Sequence, residues 1–378
     1  MPDSERPAPF AHWMLREIHE QPQTLSATLD RYVGIDGFRE EVCAPVRAWI
    51  QAARTEIVIA ASGSSRHAGM VAELSIEDLS GVAVDVEYAS EYCYRSERAL
   101  KNAAVLVVSQ SGETADTLAA LRKARLAGHP TLAITNVANS TMAAEATVSF
   151  PTMAGRERAI PATKSFTAQL LNLHLLALLI AESKQTMNAA ELGERLAQAA
   201  SLPTRISAQL EGWDDAMRAI ANQYRTARNF LFLGRGIHYP IAREGALKLK
   251  ESAYLHAEGY PSGELKHGPN ALVAEGTPLV MIATVDRSDP ESVERYQKVV
   301  QLMRDMREQG ADILAVANMG DEVVAGLATH AVFVEEMSDA LLPICEVIPL
   351  QLLSYFMAIN HGIDVDHPRN LTKAVLAE

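Results

Sequence analysis

Two loops rich in hydroxyl side chains follow apolar segments of the sequence. Ser109–Thr114 (Ser-Gln-Ser-Gly-Glu-Thr) comes directly after Val105–Val108 and opens a helical pattern, and Ser62–Ser65 follows Ile57–Ala61 in the same way. Hydroxyl and amide groups, together with the free N–H groups at the start of a helix, are well suited to bind a phosphate monoester. Because ligands of open α/β sheets bind at the carboxyl ends of the strands, we expect both loops to lie at one phosphate site.

A second group of ionisable residues lies further along the chain. Glu244, Lys248 and Glu251 are spaced by four and three positions, so a helix places them on one face. A solvated, salt-bridged helix face would have the same spacing. The segment Glu258–Pro269 that follows is punctuated by Gly and Pro, which predicts that His267 lies on a tight loop. Loops positioned by a sheet often carry function, and His is suited to proton transfer near neutral pH.

The same sequence disfavours several common functions. Neither Gly63 nor Gly234-Arg235-Gly236 is followed by the glycines of a dinucleotide fingerprint, and no P-loop motif is present. The His residues form no ligand pair that would support a metal site, and His256 is better explained as a structural histidine. With 34 Lys+Arg against 47 Asp+Glu, a net charge of −13 and no basic run, the chain lacks the cationic surface of a nucleic-acid binder.

The surrounding pattern alternates short apolar strands with longer helices, which predicts an α/β fold with parallel, doubly wound sheets. The order of elements from Ile57 to Phe150 recurs from Phe230 to Val334, so we expect two tandem copies of one domain. An amphipathic helix over Trp13–Gln21, ended by Pro22, is predicted before the first copy. The predicted divisions are an arm at 1–34, a first domain at 35–185, a helical connector at 186–228, a second domain at 229–360 and a tail at 361–378.

Composition and cysteine content predict the cellular compartment of the protein. A length of 378 residues suits two domains, and 48% hydrophobic residues suffice for full cores. Cys43, Cys93 and Cys345 suit neither a CxxC metal pair nor a disulfide framework. The apolar stretch Leu170–Ile180 is interrupted and too short to span a bilayer, and the N-terminal residues have no signal-peptide pattern. We therefore expect a cytoplasmic protein that binds neither nucleic acid nor a membrane.

Five segments taken together resemble one known family. They are Met14–Pro22, Ser109–Thr117, Glu244–Glu251, Gly263–Pro269 and Asp364–Lys373. In this order they look like the isomerase half of glucosamine-6-phosphate synthase, a tandem of two sugar isomerase (SIS) domains. The resemblance covers nearly the whole chain from about Trp13.

The resemblance implies a role for each matching residue. Glu251 would be the base that moves a proton between carbons 1 and 2 of the sugar, and His267, reaching in from the neighbouring subunit of a homodimer, would open the ring. Lys248 would stabilise charge on the open-chain intermediate, and Lys373 on the tail would lie near the carbonyl. The implied phosphate ligands are Ser65, Ser109, Gln110, Ser111 and Thr114; further substrate contacts are Ser64, Thr163 and Glu244.

Two departures from the family pattern bear on the reaction. Ile160–Lys164 lacks a hydroxyl that the family has near the sugar, and the glutaminase half, with its N-terminal cysteine, is absent from this sequence. We therefore expect a deaminase that converts glucosamine 6-phosphate and water to fructose 6-phosphate and ammonia, without a metal or organic cofactor. The alternatives are an aldose–ketose phosphosugar isomerase, a galactosamine 6-phosphate deaminase, a deglycase, amination of fructose 6-phosphate by external ammonia or by a partner glutaminase, and, outside catalysis, a sugar-phosphate sensor.

Overall fold

Each of the two predicted sheets is present, in a separate unit of the structure. The computed structural model describes residues 7–52, 56–96 and 103–374, so the start of the predicted arm and the end of the predicted tail lie outside the described residues. The unit that we call the first-sheet unit comprises Gln21–Glu157, Lys164–Pro203 and the described residues from Thr372 onward. The second-sheet unit comprises the described residues up to Glu20, Arg158–Thr163 and Thr204–Leu371.

The first helix, Trp13–His19, belongs to the second-sheet unit, and the elements from Gln21 to Ser183 belong to the first-sheet unit. The elements of this part are α1 (Trp13–His19), α2 (Gln21–Tyr32), β1 (Val33–Gly34), β2 (Gly37–Phe38), α3 (Glu40–Ala52), β3 (Glu56–Ala61), α4 (Gly63–Ser80), β4 (Ala83–Tyr88), α5 (Ala89–Tyr92), β5 (Ala103–Ser109), α6 (Ala115–Leu126), β6 (Thr131–Thr135), α7 (Thr141–Glu145), β7 (Val148–Ser149) and α8 (Lys164–Ser183).

A long helix, α9 (Ala189–Gln223), occupies most of the predicted connector, and the second sheet follows it. The remaining elements are β8 (Asn229–Gly234), α10 (Tyr239–Ala253), β9 (His256–Pro261), β10 (Pro278–Ala283), α11 (Pro290–Glu308), β11 (Asp312–Asn318), α12 (Glu322–Leu327), β12 (His330–Val334) and α13 (Leu342–Asn360), with 3-10 helices at Gly236–His238, Ser262–His267 and Pro269–Leu272.

The two sheets have the same strand order, which confirms the predicted α/β class and its duplication. The first runs β4-β3-β5-β6-β7 and the second β9-β8-β10-β11-β12. All neighbouring strands in both are parallel. Every residue of β5 and β10 is buried, as expected for central strands with helices on both faces. The edge strands β4 and β9 were not predicted from the sequence.

Two long helices, α8 and α13, are rich in apolar residues. α8 and α13 contain 20 and 19 residues and are long and apolar enough to cross a membrane by length and composition, but 94% of the tested window of each is buried within the protein. The sequence-based expectation that the stretch around Leu170–Ile180 is too short for a span was wrong in length. The burial shows that both are core helices of the sheets.

Near the N-terminus the structure differs from the predicted single helix. α1 ends at His19, and Pro22 lies in the first turn of α2 instead of ending a helix. A proline fits there because the first N–H groups of a helix have no partner within it. The backbone N–H groups of Trp13 and Met14 donate to the carboxylate of Asp366, each at 2.9 Å, so a residue of the predicted tail caps α1.

Candidate active site

The hydroxyl-rich loop Ser109–Thr114 joins β5 to α6 and is ordered by its own side chains. Ser109 Oγ lies 3.1 Å from Thr114 Oγ1 and accepts the N–H of Gly112 at 3.2 Å. Ser111 Oγ accepts the N–H of Glu113 at 3.1 Å. Thr114 is the residue before α6, and its side chain makes no bond to the helix end. The loop therefore places several hydroxyl groups at the positive end of α6, and its binding of a phosphate stays a prediction.

A glycine and a glutamate fix the shape of this loop. Gly112 has φ +66°, and a Cβ at this position would lie 2.1 Å from Ser140 Oγ, so only glycine fits. The carbonyl of Gly112 accepts the N–H of Met142 at 3.1 Å, and Glu113 Oε1 accepts the N–H of Thr141 at 2.7 Å. Both bonds tie the loop to the start of α7.

The second hydroxyl loop lies beside the first. β3 and β5 are neighbours, with Ala61 opposite Val108 at their carboxyl ends, and α4 begins at Gly63 directly after β3. Ser65 lies in the first turn of α4 and is 9% exposed. The structure thus brings Ser64 and Ser65 to the same sheet edge as Ser109–Thr114. Their role in binding phosphate stays a prediction.

In the second-sheet unit, α10 places Glu244, Lys248 and Glu251 on one face, but this face is not a solvated one. Lys248 Nζ lies 2.5 Å from Glu251 Oε2 and 3.4 Å from Glu244 Oε1. The side chains of Glu244 and Lys248 are 0% and 1% exposed, whereas that of Glu251 is 22% exposed. Burial alone would lower the pKa of Lys248, but the two carboxylates outweigh it and hold this pKa above its usual value.

Close packing behind α10 explains why this cluster is buried. Ser354 of α13 donates to the carbonyl of Lys248 at 2.9 Å. A Cβ on Gly245 would lie 2.8 Å from Leu350 and 2.9 Å from Phe232, so α10 approaches α13 and β8 more closely than any larger residue allows. Glu251, one turn beyond Lys248, is the member of the cluster that reaches the surface.

Glu251 lines a pocket of about 500 Å³ at the end of α10. Tyr254, His256, Arg369 and Asn370 also line it. The Arg369 guanidinium lies 4.3 Å from the centre of the Tyr254 ring, and the N–H of Arg369 donates to the Tyr254 hydroxyl at 2.6 Å. The resemblance implied that the tail at 361–378 folds over the active site, but it did not single out Arg369 or Asn370.

His267 is placed apart from this pocket. It ends the 3-10 helix Ser262–His267, is exposed, and is followed by Gly268 with φ +135°, in agreement with the predicted tight turn. It is not among the described residues that line the pocket with Glu251. His256, taken from the sequence as structural, does line it and is 65% exposed.

The remaining predicted site residues lie in two places. Lys373 Nζ donates to Glu157 Oε2 at 2.5 Å within the first-sheet unit. Thr163, in the second-sheet unit, is fully buried, and its carbonyl accepts a bond from Gln351 Nε2 at 3.4 Å. Glu157 was missed by the sequence reasoning, since a lone glutamate after a strand carries no motif. In the described part of the chain, no group of three or more His, Cys, Asp or Glu could hold a metal ion.

Two copies of one parallel sheet, each with loops at its carboxyl edge, define a tandem SIS architecture. The SIS domain model matches residues 50–179 and 223–361, more than half of the chain. The chain belongs to the SIS-domain family, and the resemblance predicted from its five segments is confirmed.

Particular relatives identify the branch of this family. The chain is 42% identical to the glutamine–fructose-6-phosphate aminotransferase (isomerizing) of Pseudomonas putida over 98% of its own length and 59% of that protein. It therefore spans about three-fifths of the curated relatives that it matches. The C-terminal domain of glucosamine-fructose-6-phosphate aminotransferase from Francisella tularensis matches with a TM-score of 0.89 and 33% identity, covering 96% of this chain and 100% of that one.

A more distant structure shares the fold alone. The glucosamine-6-phosphate deaminase of Thermotoga maritima matches with a TM-score of 0.69 and 23% identity, over 96% of this chain and 99% of that one. The comparisons relate the chain to enzymes of phosphosugar metabolism.

Proposed function

We propose that this protein deaminates glucosamine 6-phosphate, giving fructose 6-phosphate and ammonia. The observation that carries the proposal is the position of the Glu251 carboxylate. It lines a pocket large enough for a sugar phosphate, and it is paired with the buried ammonium of Lys248, which also contacts buried Glu244. A carboxylate fixed in this way is suited to remove and return a proton on carbon.

The chemistry follows from moving one proton between adjacent carbons. His267 protonates the ring oxygen as the carbon-1 hydroxyl loses its proton, which opens the sugar to the aldehyde. Glu251 takes the carbon-2 proton while the carbonyl oxygen on carbon 1 gains a proton from water, which gives an enolamine. Glu251 then returns its proton to carbon 1 while the amino group gives one N–H proton to water, so that carbon 1 becomes CH2OH and an imine remains at carbon 2. Water adds to the imine carbon and ammonia leaves, which gives the ketone. The Ser109–Thr114 loop and Ser65 bind the phosphate.

The two lysines have different tasks in this proposal. The ammonium of Lys248 is 1% exposed between two carboxylates, which favours a role in orienting Glu251. Lys373 is 27% exposed and supplies the positive charge next to the carbonyl oxygen. A fixed cation at that oxygen stabilises the charge that develops there in the transition state.

The direction of the reaction follows from the source of ammonia. Cys43 and Cys345 are fully buried, and burial raises the pKa of both thiols above the usual value, so neither is suited to release ammonia from glutamine. In the proposed reaction, ammonia is exchanged with solvent. Because water is far more concentrated than free ammonia, hydrolysis of the imine prevails over amination.

The setting that we propose is a homodimer in the cytoplasm. All three cysteines are unpaired, which suits a reducing compartment. His267 is exposed and lies outside the pocket of Glu251, which supports its action at the site of a second subunit. Nucleic acid and membranes are not expected partners.

The test is to incubate the purified protein with glucosamine 6-phosphate and to measure ammonia and fructose 6-phosphate together. We expect equal amounts of both. Galactosamine 6-phosphate tests the sugar epimer, and fructose 6-phosphate with ammonium chloride tests the reverse direction. If no ammonia forms while glucose 6-phosphate and fructose 6-phosphate interconvert, the protein is an aldose–ketose isomerase and the proposal is wrong.

A further inference from the structure

A buried carboxylate in the first-sheet unit receives the ammonium of Lys373. Glu157 lies in the segment between β7 and α8, and its side chain is 0% exposed. Its Oε2 accepts from Lys373 Nζ at 2.5 Å and from the hydroxyl of Ser165 at 2.7 Å, and its Oε1 accepts the N–H of Ser165 at 3.1 Å. The two oxygens are thus fixed by the first turn of α8.

The Glu157 carboxylate is held in place and accepts the Lys373 ammonium. Ser165 is 1% exposed, and the bonds from its backbone and side chain leave the Glu157 carboxylate little freedom to turn. A carboxylate buried in this way is costly without a positive partner. Lys373, by contrast, comes from an irregular segment whose preceding residue, Thr372, is exposed. The fixed carboxylate of Glu157 therefore determines the position of the Lys373 ammonium.

We propose that Glu157 is a positioning residue for Lys373, which holds the lysine ammonium at the place where it meets the substrate. This inference rests on the proposed function, because it assigns Lys373 to the reaction. Glu157 itself contacts no substrate atom in this scheme. Its removal takes away the carboxylate that receives the Lys373 ammonium and lowers turnover, since a displacement of about 1 Å of a positioned group costs on the order of 100-fold in rate.

The first experiment measures the position of Lys373 without using activity. Glu157→Gln keeps the shape and one oxygen acceptor for Ser165 but removes the charge. The purified wild-type protein and variant are treated with an amine-acetylating reagent, and the modification rate of Lys373 is followed by mass spectrometry, with exposed Lys298 as internal reference. We expect Lys373 to react at least several-fold faster in the variant and Lys298 equally in both.

A matched control separates this effect from the loss of any ion pair. Glu145 of α7 pairs with Arg122 at 2.7 Å in the same unit, so Glu145→Gln makes the same chemical change elsewhere. Its Lys373 should react at the wild-type rate. Thermal unfolding of each variant shows whether it is folded at the assay temperature. Lys373→Met breaks the same ion pair by removing the ammonium instead of the carboxylate.

The second experiment is a double-mutant cycle on turnover of glucosamine 6-phosphate. Glu157→Gln should lower kcat/KM by ~10- to 100-fold, and it should have no further effect beyond about 2-fold in the Lys373→Met background, because two residues that act as one unit are not additive. Unchanged acetylation of Lys373, or effects that multiply, would overturn the positioning role. Absence of turnover in the wild-type protein would instead contradict the proposed function. The acetylation rates would still show whether Glu157 holds Lys373.

Discussion

In α10, the proposed base and the residues that hold it in place are different side chains. Glu251 reaches the pocket, whereas Lys248 and Glu244 lie behind it in the core. The sequence spacing predicted their common face, but a solvated helix has the same spacing. Burial is decided by α13, whose Ser354 and Leu350 lie about a hundred positions further along the chain. No local pattern carries that contact, so the sequence alone could not choose between the two.

The first prediction concerns Glu251. Glu251→Gln should reduce deamination by at least about 1000-fold, because the amide cannot accept the carbon-2 proton. Binding of a sugar phosphate, measured by calorimetry, should change by less than about 3-fold. Glu308→Gln, at the exposed end of α11, is the matched control and should behave as wild type. A Glu251→Gln enzyme with near-normal turnover would show that another group is the base.

The second prediction concerns the stability supplied by Lys248. Lys248→Met removes the ammonium that lies between Glu244 and Glu251, and breaking a buried pair in this way costs about 3–5 kcal/mol of unfolding free energy. Urea unfolding should show this loss. Glu244→Gln combined with Lys248→Met should cost less than the sum of the two single changes, because the two side chains are in direct contact. Additive losses would count against this account.

At the scale of elements, hydropathy predicted the central strands and the edge strands β7 and β12, but it missed the edge strands β4 and β9. β5 and β10 are continuous apolar runs and were found, whereas β4 (Ala-Val-Asp-Val-Glu-Tyr) and β9 (His-Ala-Glu-Gly-Tyr-Pro) carry charges or glycine and were not. An edge strand has one neighbour and partly exposed faces, so its sequence resembles that of a loop. The loops at the carboxyl ends were nevertheless placed correctly, because their position depends on the central strands.

The third prediction tests the conformation of the Ser109–Thr114 loop. Gly112→Ala adds both a strained φ of +66° and a Cβ 2.1 Å from Ser140 Oγ, so the loop must shift. KM for the sugar phosphate should rise by at least about 10-fold. Gly128→Ala is the control, since Gly128 has φ +80° with nothing within 4 Å of the added Cβ. It should cost about 1 kcal/mol of stability through backbone strain and leave KM unchanged. An unchanged KM in Gly112→Ala would contradict the role of the loop.

At the scale of the whole molecule, each unit contains a buried histidine with an opposite response to pH. In the first-sheet unit, burial lowers the pKa of His174 from 6.5 to about 4. In the second-sheet unit, burial alone would lower the pKa of His238, but Glu346 and Asp339 outweigh it and raise it to about 10. His238 Nδ1 lies 2.8 Å from Glu346 Oε1.

The fourth prediction is that the two histidines stop stabilising their units at opposite ends of the pH range. The stability contributed by neutral His174 is present above pH 6.5 and is lost as the pH falls towards 4, by on the order of 3 kcal/mol. The stability contributed by charged His238 is present below pH 6.5 and is lost as the pH rises towards 10.

Tryptophan fluorescence can follow each unit during unfolding. Trp49 lies in the first-sheet unit, and Trp13 and Trp213 lie in the second, so Phe substitutions leave probes in one unit at a time. Glu73 in the first-sheet unit acts in the opposite direction, because burial raises its pKa to about 7, so the effect of His174 is measured as a difference between two proteins. Between pH 7 and 5 the urea midpoint of the Trp49 signal should fall further, or rise less, in the wild-type protein than in His174→Leu, and the midpoint of the other signals should fall between pH 7 and 9. The same pH dependence of the Trp49 signal in the wild-type protein and in His174→Leu would contradict the assignment.

The bond between Asp366 and the start of α1 also bears on the order in which the chain folds during synthesis. The carboxylate that receives the N–H groups of Trp13 and Met14 is translated more than 350 positions after them. Throughout that interval Met14 and Ile18, which end fully buried, have no finished core to enter. The strands of the first sheet are translated before Asp366, so that sheet can form before α1 receives its cap.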